Sequence, residues 1–425
     1  MATVIIGGGI IGTAAAYYLS ESSHDPCSIH IIESAPRLFA SASGYAGGFL
    51  ARDWFSAPVA SLGALSFDLH RQLAREHDGR NRWGYAPSTA LSLTIDEGRG
   101  VGNGAKGEDW LLEGASRAGV ANASGDGGVL REDGTPAWVT QQKGGTLETI
   151  SSEAWCAQVE PLQLCEFLMD KCRERGVQLQ MPARATRVVR GPDGTVTGIE
   201  IHNAETNKSV TVDCARIVLA AGAWTPGAFS QLFPDSKLKV PVSSLAGHSI
   251  KVRSPRHTLV HEEEYGRCHA VFAAPSRDWS FAPEAFSRRG GEIYVGGLNS
   301  ESMPLPRLAT EARANRKAME ELKDATVRLV GLVAPDGRGN PKDDLEVTRE
   351  AVCFRPVASG GRPIIARLED IVLGKGIKMP KGGGVYIAAG HGPWGISLSL
   401  GTGKVMAEML QGIQTSARVD GLGMR

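Results

Sequence analysis

The chain opens on apolar residues. Thr3-Val4-Ile5-Ile6 is a short run ending in glycines, and Ile10 to Leu19 continues in helical spacing, rich in alanine. A second apolar run, Ser28 to Ile32, closes on Glu33. Strand, tight turn, helix and strand in that order predict a βαβ unit. Midway, Val177 to Leu179, Arg187 to Val189 and Ile217 to Leu219 read as further strands. Before them, Leu162 to Arg175 places Leu164, Phe167 and Leu168 on one side of a helix and charge on the other. Near the end, Val385 to Ala388 reads as a buried strand, then a glycine-rich turn and a helix from Ile396 to Leu410.

Other stretches differ in character. Residues 97–145 are dominated by Gly, Ser, Asp and Glu with little periodicity, which predicts a mobile connection or a lid. Residues 240–300 alternate apolar and polar positions, as in Ser249-Ile-Lys-Val and Glu292-Ile-Tyr-Val, and read as strands. Ala309 to Leu332 reads as one long helix with a polar face. The expected fold is α/β. A discontinuous Rossmann-like domain (1–90, 151–240 and 350–425) interleaves with a mixed α+β, strand-rich substrate domain (91–150 and 241–349).

At 425 residues, two domains or one elaborated domain is the expectation. Lys+Arg and Asp+Glu are equal at 46 each, which argues against a nucleic-acid or anionic-membrane partner. No apolar run is long enough to span a bilayer and no leader is evident, so a cytoplasmic protein is expected. Seven cysteines without a CxxC pair argue against a disulfide framework or zinc site, and no metal is expected.

The first chemistry lies in Gly7-x-Gly9-x-x-Gly12. The first glycine makes the turn out of the strand, the second admits a pyrophosphate, and the third allows helix–strand packing. The helix start at Ile10 offers N–H groups to phosphate, and Glu33 stands where a carboxylate accepts from ribose hydroxyls and repels the extra phosphate of NADP. Three later features point to FAD over NAD. Ser41 to Gly48 (SASGYAGG) is a small-residue stretch suited to backbone contact with a buried dinucleotide. Leu219 to Trp224 (LAAGAW) ends a strand in small residues and an aromatic. Ala388 to Ile396 (AAGHGPWGI) is a turn into the last helix, whose N-terminus would stabilise negative charge on a flavin edge.

These residues, with VIIGGGIIG at 4–12 and CFRPVASGGRPIIAR at 353–367, resemble the D-amino-acid oxidase-like flavoproteins, which include glycine oxidase, sarcosine oxidase and D-amino-acid dehydrogenases. The insertion at 97–145 and PEAFSRRGGEIYVGG at 283–297 are most similar to fungal-type members. The resemblance implies hydride transfer from an amine or amino acid to flavin, giving an imine, with oxygen reoxidising the flavin to yield hydrogen peroxide. A quinone- or protein-coupled dehydrogenase, or a non-catalytic flavoprotein serving assembly or trafficking, would carry the same glycine turn. The implied cofactor contacts are Gly7, Gly9, Ile10, Ile11, Gly12, Glu33, Ser34, Ser43, Gly44, Gly47, Gly48, Val188, Ala220, Ala221, Gly222, Trp224, Gly390, His391, Gly392, Trp394, Gly395 and Ile396.

Toward the substrate, Arg355 matches the family arginine that forks a substrate carboxylate. Trp394 stands beside Pro393, near a position where glycine oxidase carries a further arginine, leaving room for a bulkier amine. Tyr294 aligns with the lysine that aids oxygen activation in sarcosine oxidase. Cys353 matches a covalent flavin-linking cysteine, but many CxRP relatives hold FAD non-covalently, and that is the expectation here. Trp54, Phe55, His248 and His269 lie in segments able to reach the substrate cavity, with a satisfied structural role expected for each.

Overall fold

The computed structural model describes residues 2–23, 25–95, 116–121, 136–140, 142, 144–276, 279–332 and 342–424. Most of the 97–145 segment lies outside them. The opening unit forms as its pattern dictates: β1 (Thr3–Ile6), α1 (Ile10–Ser22) and β2 (Ile29–Ile32). All four residues of β1 are buried, as a strand covered on both faces requires.

Among the described residues, β1 lies inside a six-stranded sheet ordered Ile364–Leu368, Gly384–Ala389, Arg216–Leu219, β1, β2 and Gln178–Gln180. Every pairing is parallel except that of Ile364–Leu368 with Gly384–Ala389. The chain runs from β1 outward to β2, then returns to Arg216–Leu219 on the other side of β1. That reversal opens a crevice at the carboxyl end of β1, where open α/β sheets bind ligands. An antiparallel three-stranded sheet (Ala183–Arg190, Val196–Asn203, Lys208–Asp213) packs nearby.

The last helix is Ser399–Gln411, not Ile396 onward: Gly392–Trp394 forms a 3₁₀ turn, and the chain turns once more before helical bonding begins. Two glycines seat this helix between its neighbours. A Cβ at Gly403 would lie 2.5 Å from the Ala14 carbonyl carbon of α1, and one at Gly401 would lie 2.9 Å from Ser66 Cβ of the helix Ala57–Glu76.

A nine-stranded sheet forms the second layer, with Glu346–Ala358, Val242–Arg253, Glu292–Ser300, Glu284–Arg288, Cys268–Ala273 and Ala86–Ile95 side by side. Cys156–Gln158, Phe49–Ala51 and Gly145–Ser151 complete it, so 86–90, 156–158 and 350–358 hydrogen-bond into this sheet rather than the parallel one. Strand alternation sorts its faces. Val271, Ala285, Ile293 and Val295 pack outward in a core that includes Leu322 and Leu329 of the helix Arg316–Val330. Phe272, Phe286 and Tyr294 face inward, toward the core that includes α1. The long helix expected from Ala309 is thus shorter. Ala309–Glu311 is a separate 3₁₀ turn, and Asn315 caps the helix by accepting from the Ala318 N–H at 3.1 Å.

Candidate active site

Chemistry concentrates where the two layers meet, in a cavity of about 810 Å³, inside the range of small-molecule sites. One wall is the turn after β1. Gly7 has φ 111°, and a Cβ there would lie 2.5 Å from the Ala220 carbonyl oxygen, so only glycine fits. Gly12 is closed to a side chain by the Gly7 carbonyl and packs helix to strand without touching the cavity. Glu33 spans the turn: its carboxylate accepts from the Gly8 N–H at 2.9 Å and the Ala35 N–H at 2.8 Å. Burial pushes its pKa up, and those N–H groups work in the opposite direction. The first helical N–H, of Ile10, donates to Ser43 Oγ at 2.9 Å.

Of the expected cofactor contacts, Gly7, Gly9, Ile10, Ile11, Glu33, Ser34, Ser43, Gly47, Gly48, Ala220, Ala221, Gly222, Trp224, His391, Gly392, Gly395 and Ile396 line the cavity. Gly44 instead lies against the Phe39 carbonyl, and Gly390 against Ala358. Val188 is buried in the core with Val196, Ile199 and Ile201; the wall there is built by Ala183, Arg184 and Ala185, at the start of the same strand. His391 holds Thr402 Oγ1 at 3.1 Å through Nε2, and burial lowers its pKa to about 3, so it stands neutral.

The facing wall comes from the nine-stranded sheet. Arg355 and Cys353 alternate onto one face of their strand, and Gly247 pairs directly with Cys353 and Asn299. Because position 247 carries no side chain, the Arg355 guanidinium lies over it: a Cβ there would sit 2.6 Å from Cζ and 2.7 Å from Nη2. Arg355 donates to the Asn299 amide oxygen and interacts with the Tyr294 hydroxyl. Burial works against its charge, while Cys353, Tyr294 and Glu284 act to keep it, and the net effect raises its pKa. The Cys353 thiol is pushed up by burial, against the pull of Arg355 and Arg349. Tyr294 lines the cavity and stacks on Phe286, centroids 5.7 Å apart at 7°.

Trp394 is placed differently from the expectation. It is buried behind the cavity, in contact with Phe55 at 5.0 Å and Trp54 at 6.3 Å, and is absent from the lining. Trp54, Phe55, His248 and His269 also lie off the wall. His248 Nε2 accepts from the Asn315 N–H at 3.1 Å, at the head of the Arg316–Val330 helix, and His269 Nδ1 holds Thr89 Oγ1 at 2.7 Å.

Sequence reasoning missed Arg117, Glu284, Gly247 and Asn299. Arg117 stands in a short 3₁₀ turn, Arg117–Val120, within the aperiodic insertion, yet it is buried in the cavity wall. It forks the Glu284 carboxylate, Nε to Oε1 at 2.9 Å and Nη2 to Oε2 at 3.0 Å, and its guanidinium lies 4.7 Å from the Trp394 ring centroid. Nothing in the local sequence marks this residue. Glu284 carried one available signal: it shares strand parity with Phe286 and lies on the Tyr294-bearing face.

A glycine turn into a helix start, a buried carboxylate after β2, small-residue walls and a continuous cavity reaching Arg355 fit a dinucleotide with a reactive ring at its far end. Among the described residues, no cluster suits a metal ion and no helix is long and apolar enough to cross a membrane.

A family model described as FAD dependent oxidoreductase (DAO) matches residues 2–409. At 27% identity the chain is similar to a candidate oxidoreductase of Schizosaccharomyces pombe, over 98% of this chain and 96% of that one. Among solved structures, glycine oxidase from Geobacillus kaustophilus has a TM-score of 0.71 at 20% identity, covering 100% of this chain and 98% of that chain. Iminodiacetate oxidase from Chelativorans sp. BNC1 has a TM-score of 0.67 at 19% identity, covering 99% and 98%.

Proposed function

The chain belongs to the FAD dependent oxidoreductase (DAO) family, and on that premise we propose that it oxidises the C–N bond of an amine or amino acid bound against Arg355. The observation that carries this reading is the buried Arg355 guanidinium on the cavity wall, held by Asn299 and Tyr294 over the vacant side of Gly247. A fixed fork of this kind suits a carboxylate. Two fold neighbours, glycine oxidase and iminodiacetate oxidase, act on substrates of that class.

The dinucleotide would be held by the Gly7–Ile11 turn, with Glu33 toward its ribose and the 41–48 and 390–396 segments along its length. FAD, when bound, supplies the hydride acceptor. The chain's own residues supply orientation: Arg355 fixes one end of the substrate, and Phe286 and Tyr294 wall the space beside it. His391 is neutral, buried and engaged with Thr402, which supports a structural role rather than that of a base.

The test is a flavin spectrum recorded without oxygen while D- and L-amino acids, N-methyl amino acids and larger secondary amines are added. Bleaching by at least one carboxylate-bearing amine is expected, and its loss in Arg355→Met is expected. If none bleaches the wild-type flavin, the reading fails. Readmitting air then asks whether oxygen is the acceptor; colour that does not return would assign the electrons to another acceptor.

A further inference from the structure

The described residues place two guanidinium groups and one carboxylate together on the substrate side of the cavity, and Arg355 alone does not account for the arrangement. Glu284 and Phe286 alternate onto the inner face of their strand, with Tyr294 directly opposite Phe286. Glu284 is close enough to Arg355 to act on its charge, and Arg117 and Arg355 act on each other. Arg117 is fixed from two sides, by the two-point fork to Glu284 and by the Trp394 ring beneath it. Burial lowers the Arg117 pKa and Glu284 opposes that shift, but an arginine stays charged in either case.

We infer that Glu284, clamped by Arg117, is the seat of the substrate's amino group, and that the clamp restricts the site to amino acids with a single carboxylate. This rests on the amine-oxidising reading above. Each Glu284 oxygen keeps acceptor capacity beyond its bond to Arg117, so an amine N–H can be received without breaking the fork. Arg355 takes the substrate carboxylate and Glu284 takes the amine N–H at the other end of the same molecule. A second substrate carboxylate would have to displace Glu284 from Arg117, leaving a buried carboxylate without its cation, which is strongly unfavourable. Trp394 enters this selection indirectly, as a positioning residue under Arg117.

The test uses the FAD-loaded protein and two probes differing in one group, butyrate and succinate, with binding read from the shift in flavin absorbance. In the wild type, butyrate is expected to bind and succinate to bind at least tenfold more weakly. Glu284→Gln removes the charge that a second substrate carboxylate would have to displace, so succinate is expected to gain at least tenfold relative to butyrate; misfolding cannot produce a gain. Arg117→Gln is expected to weaken butyrate about tenfold without restoring succinate. Wild-type succinate binding equal to butyrate, or a succinate-to-butyrate ratio unmoved in Glu284→Gln, would overturn the inference while leaving Arg355 and the amine reading intact. If neither probe binds the wild type and no amine bleaches it, the reading itself falls and the inference with it.

Discussion

Substituting Gly247 by Ala isolates the slot that holds Arg355. The new Cβ would press closest on Nη1 and lie 2.6 Å from Cζ and 2.7 Å from Nη2, whereas carbon contacts settle near 3.5–4.0 Å, so the guanidinium must retreat by about 1.5 Å. The strand itself has no reason to yield. Gly247 is paired on both sides, with Cys353 and Asn299, its backbone is not left-handed, and alanine is at least as compatible with a strand as glycine. The cost therefore falls on the tip of Arg355, which leaves Asn299 and loses its aim at the substrate. A hydrogen bond to a charged group is worth about 1.5–3 kcal/mol, so carboxylate affinity should fall by roughly ten- to a hundredfold. Butyrate titration of the flavin spectrum measures this directly, with thermal unfolding run in parallel. Unchanged affinity in Gly247→Ala would refute the idea that the missing side chain positions Arg355. A large fall in the unfolding midpoint would refute the idea that the strand tolerates the methyl group.

Three further outcomes follow. His70 is buried with Nε2 on the Ile396 carbonyl at 2.9 Å, and burial lowers its pKa to about 4, so the folded state binds fewer protons than the unfolded one below pH 6.5. Its contribution to stability is complete above pH 6.5 and is lost on acidification toward pH 4, by about 1.4 kcal/mol per pH unit; His70→Gln should flatten the unfolding midpoint against pH there, and an unchanged slope would count against it. Acid precipitation of the FAD-loaded protein should leave all yellow colour in the supernatant, because burial disfavours the Cys353 thiolate that a covalent link requires; a yellow pellet would show the opposite. Gly12→Ala drives a methyl into the Gly7 carbonyl and should abolish FAD retention on gel filtration, whereas an unaltered flavin-to-protein ratio would argue that the turn can shift.

Residues whose partners are close in sequence were legible from the chain alone. The turn at Gly7, the helix after it and the parallel strands each rest on patterns within a few residues, and Glu33 meets Gly8 only 25 positions away. Boundaries blurred where the chain leaves regular geometry: the 3₁₀ turn at Gly392–Trp394 displaced the last helix, and Asn315 set a later start for the helix expected from Ala309. Val188 was expected at the cavity from the family resemblance, but only the first residues of its strand reach the wall, before a bulge between Ala185 and Arg187. Arg117 was illegible for a different reason. Its partner is 167 residues away, and its own segment carries no periodic signal.

The strand Glu284–Arg288 has a consequence for how this site can change. Glu284 faces the substrate end, while Arg288, four residues on, is buried on Glu160 and donates to the Ala46 and Gly47 carbonyls at 2.7 Å each, fixing the small-residue segment along the cofactor wall. The separation of the two is a backbone dimension, about 13 Å of pleated chain, rather than a loop's. A substitution at 284 can rewrite what is oxidised while the anchor at 288 keeps the cofactor segment in register. On the proposed reading the fold separates selectivity from cofactor retention along a single strand, and redesign for other substrates should begin at positions 284 and 117.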